Sequence, residues 1–372
     1  MSREASIAAV AAVVLACAAG AKAQVVIETV TVGNPGNDGE LSGEGAGGWG
    51  PDRICGAVDY VYNIGMFEVT AGQYSEFLNA VADDDTYGLY STGMWDSERG
   101  CKIERTGSSP NYSYSVGVEW ADRPVNLVSW GDVARFANWL HNGQPGIVEP
   151  GVYDPVPQDE NSTEDGSYDL AATQEYYGPD GQVIDFEGLD AALLAVVRES
   201  DATWVIPSED EWYKAAYHYN DGVTGNYYDY PTQSDTAPTA EAPSGTDMTN
   251  GSANYYYDGA YVDPTHYRTE VGAYDAKPSH SPYGTFDQGG NVYEWNEAVL
   301  HDSYRSVLGG SYDIGGSLHA AYRGSGSYQP TIVGSFIGFR VADVSEPGPD
   351  IPTVSEWGLV ATALLVLTAG TV

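Results

Sequence analysis

Cysteine and histidine are the side chains that most often hold redox metals in proteins, and both are scarce in this chain. The sequence contains 3 cysteines and 6 histidines. The histidines are His141, His218, His266, His280, His301 and His319. No two of them are two, three or four residues apart, so no local pair can hold a metal on one face of a helix or strand. We therefore expect each histidine to be a surface or hydrogen-bonding residue.

Several motifs of hydrolases and nucleotide-binding enzymes are absent from the sequence. It contains no Gly-x-Ser-x-Gly, no phosphate-binding loop with Gly-Lys, and no His-Glu-x-x-His. Asp83-Asp84-Asp85 resembles the start of an EF-hand, but the twelfth residue from Asp83 is Met94, where that loop requires Glu. Because the chain has 53 acidic residues, chance pairs are frequent and no glycosidase pair can be assigned.

Composition limits the partners of this chain of 372 residues. Fifteen basic residues against 53 acidic ones give a net charge of −38. Such a field repels phosphates, which excludes nucleic acid as a partner and disfavours docking on anionic lipids. The 45 Gly, 20 Pro and 29 Tyr residues predict a turn-rich fold with modest regular secondary structure.

The first 23 residues are typical of a secretory signal peptide. Arg3 precedes an apolar run, and Ala21-Lys22-Ala23 is a small-x-small cleavage site. A first transmembrane helix is the alternative, although the apolar run is short for a span. Cleavage after Ala23 would remove Cys17 and leave Cys55 and Cys101 in an oxidising compartment. We expect these two to form a disulfide, and the alternative is two free buried thiols.

The last 22 residues, 351–372, have the features of a sorting tail. The octet 351–358, Ile-Pro-Thr-Val-Ser-Glu-Trp-Gly, leads into an apolar run that ends at Val372. This octet resembles the start of bacterial tails of the PEP-CTERM and IPTL-CTERM type. The resemblance implies transient membrane anchoring, processing and a location at the cell surface or outer envelope. The basic cluster that normally closes such tails does not precede Val372, and the run alone is a marginal anchor.

The remaining chain is predicted to hold one large domain. We expect a strand and linker over residues 24–54, a domain over 55–343 and a short linker over 344–350. Three segments combine a hydroxyl cap with apolar residues at positions 0, 3, 4 and 7, which predicts helices after Thr70, Ser129 and Ser208. Short strands are indicated at 202–206 and 338–342, and long loops at 143–199 and 220–267.

Six segments, in order along the chain, resemble the sulfatase-modifying factor family, whose fold is that of the formylglycine-generating enzyme. They are residues 64–70 (Ile-Gly-Met-Phe-Glu-Val-Thr), 123–126 (Arg-Pro-Val-Asn), 207–212 (Pro-Ser-Glu-Asp-Glu-Trp), 290–295 (Gly-Asn-Val-Tyr-Glu-Trp), 309–312 (Gly-Gly-Ser-Tyr) and 338–340 (Gly-Phe-Arg). The resemblance implies an α+β, C-type-lectin-like fold with low regular secondary structure, a small antiparallel sheet and a few helices.

The family's oxidases bind Cu(I) through two cysteines between the Gly-Gly-Ser and Gly-Phe-Arg segments, and this chain lacks them. Residues 310–339 contain no cysteine. Soft thiolates are the ligands that Cu(I) requires, so copper is not expected and no catalytic residue is assigned. Other residues in or near the family's cleft are candidates for a redox or hydrolytic site. These cleft candidates are His301, Tyr304, Tyr312, His319, Tyr322 and Arg323.

Calcium is the metal that the resemblance favours. It implies one site at Gly290, Val292 and Glu294, formed by backbone carbonyls and the glutamate. It implies a second at Asn254 and Asp263 with the carbonyls of Tyr255 and Thr265, although the spacing differs from the family's. Hard oxygen ligands on loops suit Ca²⁺. The alternative is that Glu294 only accepts hydrogen bonds from the backbone.

Three functions remain open at the level of sequence. We favour an exported, non-catalytic module that binds a glycan or envelope protein through tyrosine-rich loops at 227–230 and 255–258, because tyrosine supplies contact area at low entropic cost. These loops alternatively pack over the core. The other functions are a diverged metal-dependent oxidase of the formylglycine-generating type and a structural envelope protein.

Overall fold

The helices of the described chain are few and short. The computed structural model describes residues 24–323 and 326–345. Its α-helices are α1 (Ala71–Val81), α2 (Gly93–Asp96), α3 (Val118–Ala121), α4 (Trp130–His141), α5 (Phe186–Ala195) and α6 (Glu209–Tyr217). Short 3₁₀ helices cover Glu44–Ala46 and Ala171–Tyr176.

The strands are short and form small sheets. They are β1 (Thr29–Val32), β2 (Glu40–Ser42), β3 (Arg53–Cys55), β4 (Tyr62–Gly65), β5 (Ile103–Ser108), β6 (Asn111–Val116), β7 (Ile147–Glu149), β8 (Val152–Tyr153), β9 (Trp204–Val205), β10 (Thr239–Ala240), β11 (Ser252–Ala253), β12 (Tyr293–Leu300), β13 (Tyr304–Leu308), β14 (Gly326–Tyr328), β15 (Ile337–Gly338) and β16 (Ala342–Asp343). One antiparallel sheet of 4 strands has the order β1-β4-β16-β9, and a second has the order β14-β13-β12-β15, in which β12 and β15 run parallel.

Each of the three predicted helices starts at a capping box, which confirms the prediction. Thr70 accepts from the amide of Gln73 before α1, and the same arrangement joins Ser129 to Asp132 before α4. At α6 the cap is Ser208, and the carboxylate of Glu211 accepts from the Ser208 amide at 2.6 Å. Two otherwise unsatisfied amides are thereby bonded at each helix start.

The apolar faces of these helices meet in an aromatic core. Phe77 of α1 lies 5.2 Å from Phe136 of α4, measured between ring centroids. Phe136 is in turn 5.2 Å from Phe339, at an interplanar angle of 75°. Edge-to-face pairs of this kind add to the free energy gained by burial. The 338–340 segment is therefore held against both helices.

The prediction of one long loop over residues 143–199 is wrong in part, because this segment contains helix α5. Leu189 and Leu193 lie on one buried face of this helix, but Ala191 and Ala195 lie on the opposite side, so the contrast between an apolar and a polar face is weak. The strand predicted at 338–342 is divided into β15 and β16, which belong to different sheets. The strand predicted at 202–206 is found as the two-residue β9.

The predicted signal peptide, residues 1–23, and the predicted sorting tail, residues 351–372, lie outside the described residues. Within residues 24–323 and 326–345, no helix has both the length and the apolar character needed to cross a membrane.

Candidate functional site

The segment that follows the Gly-Gly-Ser motif packs against the tyrosine-rich loop at 255–258. Gly315 lies so close to this loop that a Cβ built on it would be 2.2 Å from the carbonyl oxygen of Tyr256. Only glycine allows this approach, because a Cβ carbon cannot come so near a backbone oxygen. The glycine therefore fixes the loop beside the segment in which the resemblance places the family's copper ligands.

A cavity of about 340 Å³ opens between these two segments, and we call it the tyrosine pocket. Its lining is Tyr230, Ala237, Pro238, Tyr255, Tyr256, Tyr257, Asp258, Gly315, Gly316 and Leu318. The two predicted tyrosine-rich loops both contribute to it, the first through Tyr230 and the second through Tyr255 to Asp258. A concave, largely aromatic surface with a few polar groups is typical of a site for an organic ligand.

The tyrosines of the pocket differ in exposure and in what holds them. Tyr255 is buried, and its hydroxyl donates to the carbonyl of Pro238 at 2.7 Å. Tyr257 is 64% exposed and meets the Tyr255 ring edge-on at 6.1 Å. Tyr255 therefore forms the fixed floor, and Tyr257 presents its ring to solvent.

Behind the pocket the tyrosines continue into a cluster that contains an ion pair. Tyr256 lies 5.0 Å from Tyr261, whose hydroxyl donates to Asp313 at 3.0 Å. Arg99 pairs with the same Asp313 at 3.0 Å and lies over the Tyr261 ring at 5.3 Å. This pair ties the 255–258 loop to Asp313, three residues after the Gly-Gly motif.

Two of the cleft candidates, His319 and Tyr322, lie close to the pocket and to each other. The ring of His319 meets Tyr230 of the pocket edge-on at 5.2 Å and lies 6.3 Å from Tyr322. His319 Nδ1 accepts from the amide of Ala321, and its Nε2 is 3.6 Å from a carboxylate oxygen of Asp229. Both ring nitrogens of His319 thus have protein neighbours.

The other cleft candidates lie elsewhere. His301 lies in the turn between β12 and β13, and Tyr304 is the first residue of β13. Both are exposed, at the opposite end of β13 from Tyr312. Tyr312 is fully buried, and its hydroxyl donates to the carbonyl of Ser335 at 3.2 Å. Arg323 is buried and makes a bidentate pair with Glu209 at 2.6 and 3.0 Å. The six candidates therefore do not form one site.

The predicted disulfide between Cys55 and Cys101 is wrong in this structure, because both are free buried thiols. Cys55 packs in a cluster with Trp212 of α6, whereas Cys101 belongs to the main core. Each Sγ faces a carbonyl at 3.9 Å, that of Arg53 for Cys55 and that of Asn126 for Cys101. Burial raises the pKa of the Cys55 thiol to about 12, and burial also raises that of Cys101.

Glu294, the predicted calcium ligand, is fully buried in an ion pair. Arg340 donates to its two carboxylate oxygens at 2.5 and 2.7 Å, and the Trp212 indole donates to one of them at 2.7 Å. Residues of three quoted motifs, 207–212, 290–295 and 338–340, therefore meet at one carboxylate. Sequence reasoning identified Glu294 but missed Arg340 as its partner, although both lie in quoted motifs.

Two further carboxylates face the same arginine. Burial, together with the charges of Asp287 and Glu294, holds the pKa of Glu68 well above its ordinary value, while Arg340 opposes that rise. Burial raises the pKa of Asp287 to about 6. Within this group of side chains, one cation faces three carboxyl groups, and the raised pKa of Glu68 favours its protonated, neutral form.

Asn254 of the second predicted calcium-ligand set lies against Gly290 of the first. The Asn291 amide donates to the carbonyl of Asn254 at 2.7 Å, and a Cβ on Gly290 would lie 2.5 Å from that oxygen. The side-chain oxygen of Asn254 is buried and has no hydrogen-bond partner. Val292 is buried next to Gly290. This arrangement leaves one unpaired oxygen near the first predicted set.

Asp263 of the second set is engaged by cationic or polar groups. Its carboxylate accepts from the amides of Thr265 and His266 at 2.9 Å each. It also lies 3.0 Å from His266 Nδ1 and 3.5 Å from Arg123. Among the described residues, no group of three or more His, Cys, Asp or Glu side chains is placed to hold a metal ion.

Comparisons with known proteins identify the family and the fold. Residues 56–344 match the family described as the sulfatase-modifying factor enzyme 1-like domain. The solved structure titled CarF is 19% identical, with a TM-score of 0.50 over 87% of this chain and 100% of that chain. PvdO from Pseudomonas aeruginosa is 17% identical, with a TM-score of 0.45 over 87% of this chain and 98% of that one.

Treponema denticola variable protein 1 is 17% identical, with a TM-score of 0.43 over 85% of this chain and 95% of that chain. No curated protein matches the sequence significantly. The family match covers most of the chain and contains all six quoted motifs, and the α+β fold of small sheets and few helices agrees with it. This chain belongs to the sulfatase-modifying factor family.

Proposed function

We propose that this protein is an exported, non-catalytic member of its family that binds an envelope protein or a glycan through the tyrosine pocket. The observation that carries the proposal is the pocket's position beside Gly315 and Gly316, in the segment where the resemblance places copper-binding cysteines. Residues 310–339 contain none. Tyrosine rings occupy the neighbouring surface instead, and they suit binding rather than Cu(I) coordination.

The pocket supplies the chemistry that such binding needs. Tyr255 and Tyr257 offer flat, rigid contact area, and ordering a tyrosine costs little entropy because it has two side-chain torsions. Asp258 and the tyrosine hydroxyls supply acceptors and donors at the rim. A ligand with an apolar face and hydroxyl groups fits this combination.

A binding screen tests the proposal. The purified full-length protein is applied to a glycan array and to separated envelope proteins, and each positive is repeated with Tyr257→Ala. We expect a ligand whose binding the substitution weakens about tenfold, equivalent to about 1.4 kcal/mol. Absence of any ligand would contradict the proposal. Copper-dependent conversion of a cysteine peptide to an aldehyde would replace it with an oxidase function.

We also propose that calcium binds beside Glu294, with the carbonyls of Gly290 and Val292 and the unpaired oxygen of Asn254. Support comes from the unpaired side-chain oxygen of Asn254 beside Gly290 and from the three carboxyl groups that face Arg340. A bound ion would favour the ionised form of these carboxyl groups and order the surrounding loops. The Asn254 and Asp263 set with Tyr255 and Thr265 is proposed as a second site, and its Asp263 carboxylate, like that of Glu294, already has partners in the protein.

Calcium titration and elemental analysis test this proposal. At calcium concentrations a hundred times the Kd, the free energy of unfolding should rise by about 2.7 kcal/mol, and Tm should rise with it. Magnesium at the same concentration serves as the control, because its shorter, octahedral coordination suits carbonyl-rich loops poorly. An unchanged Tm together with no retained calcium would contradict it.

We further propose that the protein is exported by cleavage after Ala23 and tethered transiently through residues 351–372. N-terminal sequencing of the surface fraction should then begin at Gln24. Protein retained in the cytoplasm with Met1 intact would contradict export.

A further inference from the structure

A continuous series of rings leads away from the tyrosine pocket across the surface. We call it the aromatic track, and it consists of Tyr257, Tyr255, Tyr230, His319, Tyr322 and Trp49. Within the pocket, Tyr230 packs against the cluster that contains Tyr255. Beyond it, ring centroids are 5.2 Å apart from Tyr230 to His319 and 6.3 Å apart from His319 to Tyr322. Each ring therefore contacts or adjoins the next.

Trp49 extends the track beyond Tyr322. The two residues face each other in a parallel bridge, in which the Arg323 amide donates to the carbonyl of Trp49 at 2.8 Å. Directly paired residues project to the same face of a ladder. The Trp49 ring thus lies on the side of the bridge to which Tyr322 projects.

The backbone holds Trp49 firmly although its ring is 57% exposed. A Cβ on Gly48 would lie 2.0 Å from the carbonyl oxygen of Ala321, and one on Gly50 would lie 1.6 Å from that of Arg323. Glycine is required at both positions, because any side chain would push the strand away. Trp49 and the exposed Tyr322 together extend the aromatic surface of the pocket, and contiguous apolar surfaces of this kind mark binding sites.

We propose that the aromatic track binds an extended, uncharged polysaccharide, with one end in the tyrosine pocket and the chain running over Tyr322 to Trp49. This inference rests on the proposed function and specifies its ligand. Sugar rings have apolar C–H faces that pack on aromatic rings, and successive rings of the track provide successive platforms. A single sugar unit cannot contact all six of these rings at once.

Charge selects the class of polysaccharide. Asp258 lines the pocket and Asp229 lies beside His319, within a chain whose net charge is −38. These carboxylates repel sulfated or uronic-acid polymers but accept hydrogen bonds from sugar hydroxyls. A proline-rich peptide also stacks on aromatic grooves, yet its prolines carry no N–H and would leave those carboxylates without donors.

Affinity as a function of oligosaccharide length tests the inference. The probes are neutral cello-, malto- and manno-oligosaccharides of two to six units, with oligogalacturonides of equal length and a proline-rich peptide for comparison. For at least one neutral series we expect the hexamer to bind the full-length protein about tenfold more tightly than the dimer, equivalent to about 1.4 kcal/mol. The anionic series and the peptide should bind more weakly.

Matched variants separate the track from the pocket. Trp49→Ala and Tyr322→Ala should remove the gain with length and leave dimer binding unchanged, whereas Tyr257→Ala should weaken dimer and hexamer alike. Trp95→Ala is the control, because Trp95 is 45% exposed and lies outside the track. Melting temperature is measured for every variant to confirm that it folds.

The possible outcomes are distinguishable. If the dimer binds but longer chains bind no more tightly, the proposal for the aromatic track fails, and the proposal that the tyrosine pocket binds a ligand stands. Tighter binding of the anionic series or of the proline-rich peptide would assign the track to that ligand class and overturn the inference. If no oligosaccharide binds while an envelope protein binds through Tyr257, the inference fails and the proposed function stands.

Discussion

Gly315 touches the tyrosine-rich loop through the carbonyl oxygen of Tyr256, and a Cβ on this glycine would be 2.2 Å from that oxygen. The contact joins two segments that are about 60 positions apart in the chain. It places the tyrosines beside the segment that follows the Gly-Gly-Ser motif. Binding at the pocket should therefore depend on a residue that offers no side chain of its own.

Replacing Gly315 with alanine should open the pocket. The new methyl group must displace the Tyr256 backbone, so we expect ligand binding to weaken by about tenfold or more, equivalent to at least about 1.4 kcal/mol. Overpacking of this kind costs about 1–3 kcal/mol of stability. Gly33→Ala is the control, because a Cβ at Gly33 would meet no atom within 4 Å. Equal ligand affinities of the Gly315→Ala and Gly33→Ala variants would contradict a role of the Gly315–Tyr256 contact in binding.

The Glu294–Arg340 pair is predicted to be a major determinant of stability. Arg340→Met leaves a fully buried carboxylate without its charge partner, which typically costs about 3–5 kcal/mol. Denaturant unfolding measures the change. Arg53→Met is the matched control: the Arg53 side chain is 38% exposed beside Glu209 and Asp210, and it should cost about 1 kcal/mol or less. A loss from Arg340→Met as small as the control's would show that the pair contributes little.

Stability should fall as the pH rises from 5 to 8. Burial raises the pKa of Asp132 and of Glu40 to about 7 and that of Asp85 to about 6. The folded chain therefore keeps protons that the unfolded chain loses near pH 4, and the free energy of unfolding decreases through this window. His218 and Lys214, whose pKa values are lowered by burial, act in the opposite direction, His218 below its ordinary pKa and Lys214 from about pH 8 upward. Asp287, whose pKa is raised to about 6, adds to the effect of the three carboxyl groups.

Thermal melts at pH 5, 6.5 and 8 check this expectation. Asp132→Asn mimics the protonated acid and should reduce the dependence of Tm on pH. A Tm that increases between pH 5 and pH 8 would contradict the raised pKa values of the buried carboxyl groups.

The two buried thiols should react only after unfolding. Native protein treated with an alkylating reagent should remain unmodified, because Cys55 and Cys101 are fully buried and their raised pKa values leave little thiolate at neutral pH. In denaturant without a reducing agent, both should be alkylated, as mass spectrometry will show. A mature chain that gains both labels only after reduction would instead contain the disulfide.

Much of the fold could be predicted from short-range patterns. Capping boxes at Thr70, Ser129 and Ser208 mark helix starts because the signal lies within four residues. Helix α5 shows only a weak apolar periodicity, since alanines lie on the side opposite its buried leucines. The break between β15 and β16 also escaped prediction, because the pairing partners of these two strands, β12 and β4, lie far away in sequence.

The site was less predictable than the fold. Tyr230 and Tyr257 were identified by local composition, but nothing in the sequence indicates that their loops share one cavity. Gly315 and Leu318, which close the pocket, have no local signature. The pairing of Glu294 with Arg340 likewise depends on long-range packing, which single-sequence patterns do not encode.

The binding isotherm of a pocket ligand, measured by calorimetry for the full-length protein and for Tyr257→Ala, tests whether the tyrosine pocket binds. We expect saturable binding by the unaltered protein and a Kd about tenfold higher for the variant, with the same Tm. Identical isotherms for the two proteins would contradict a binding function of the tyrosine pocket.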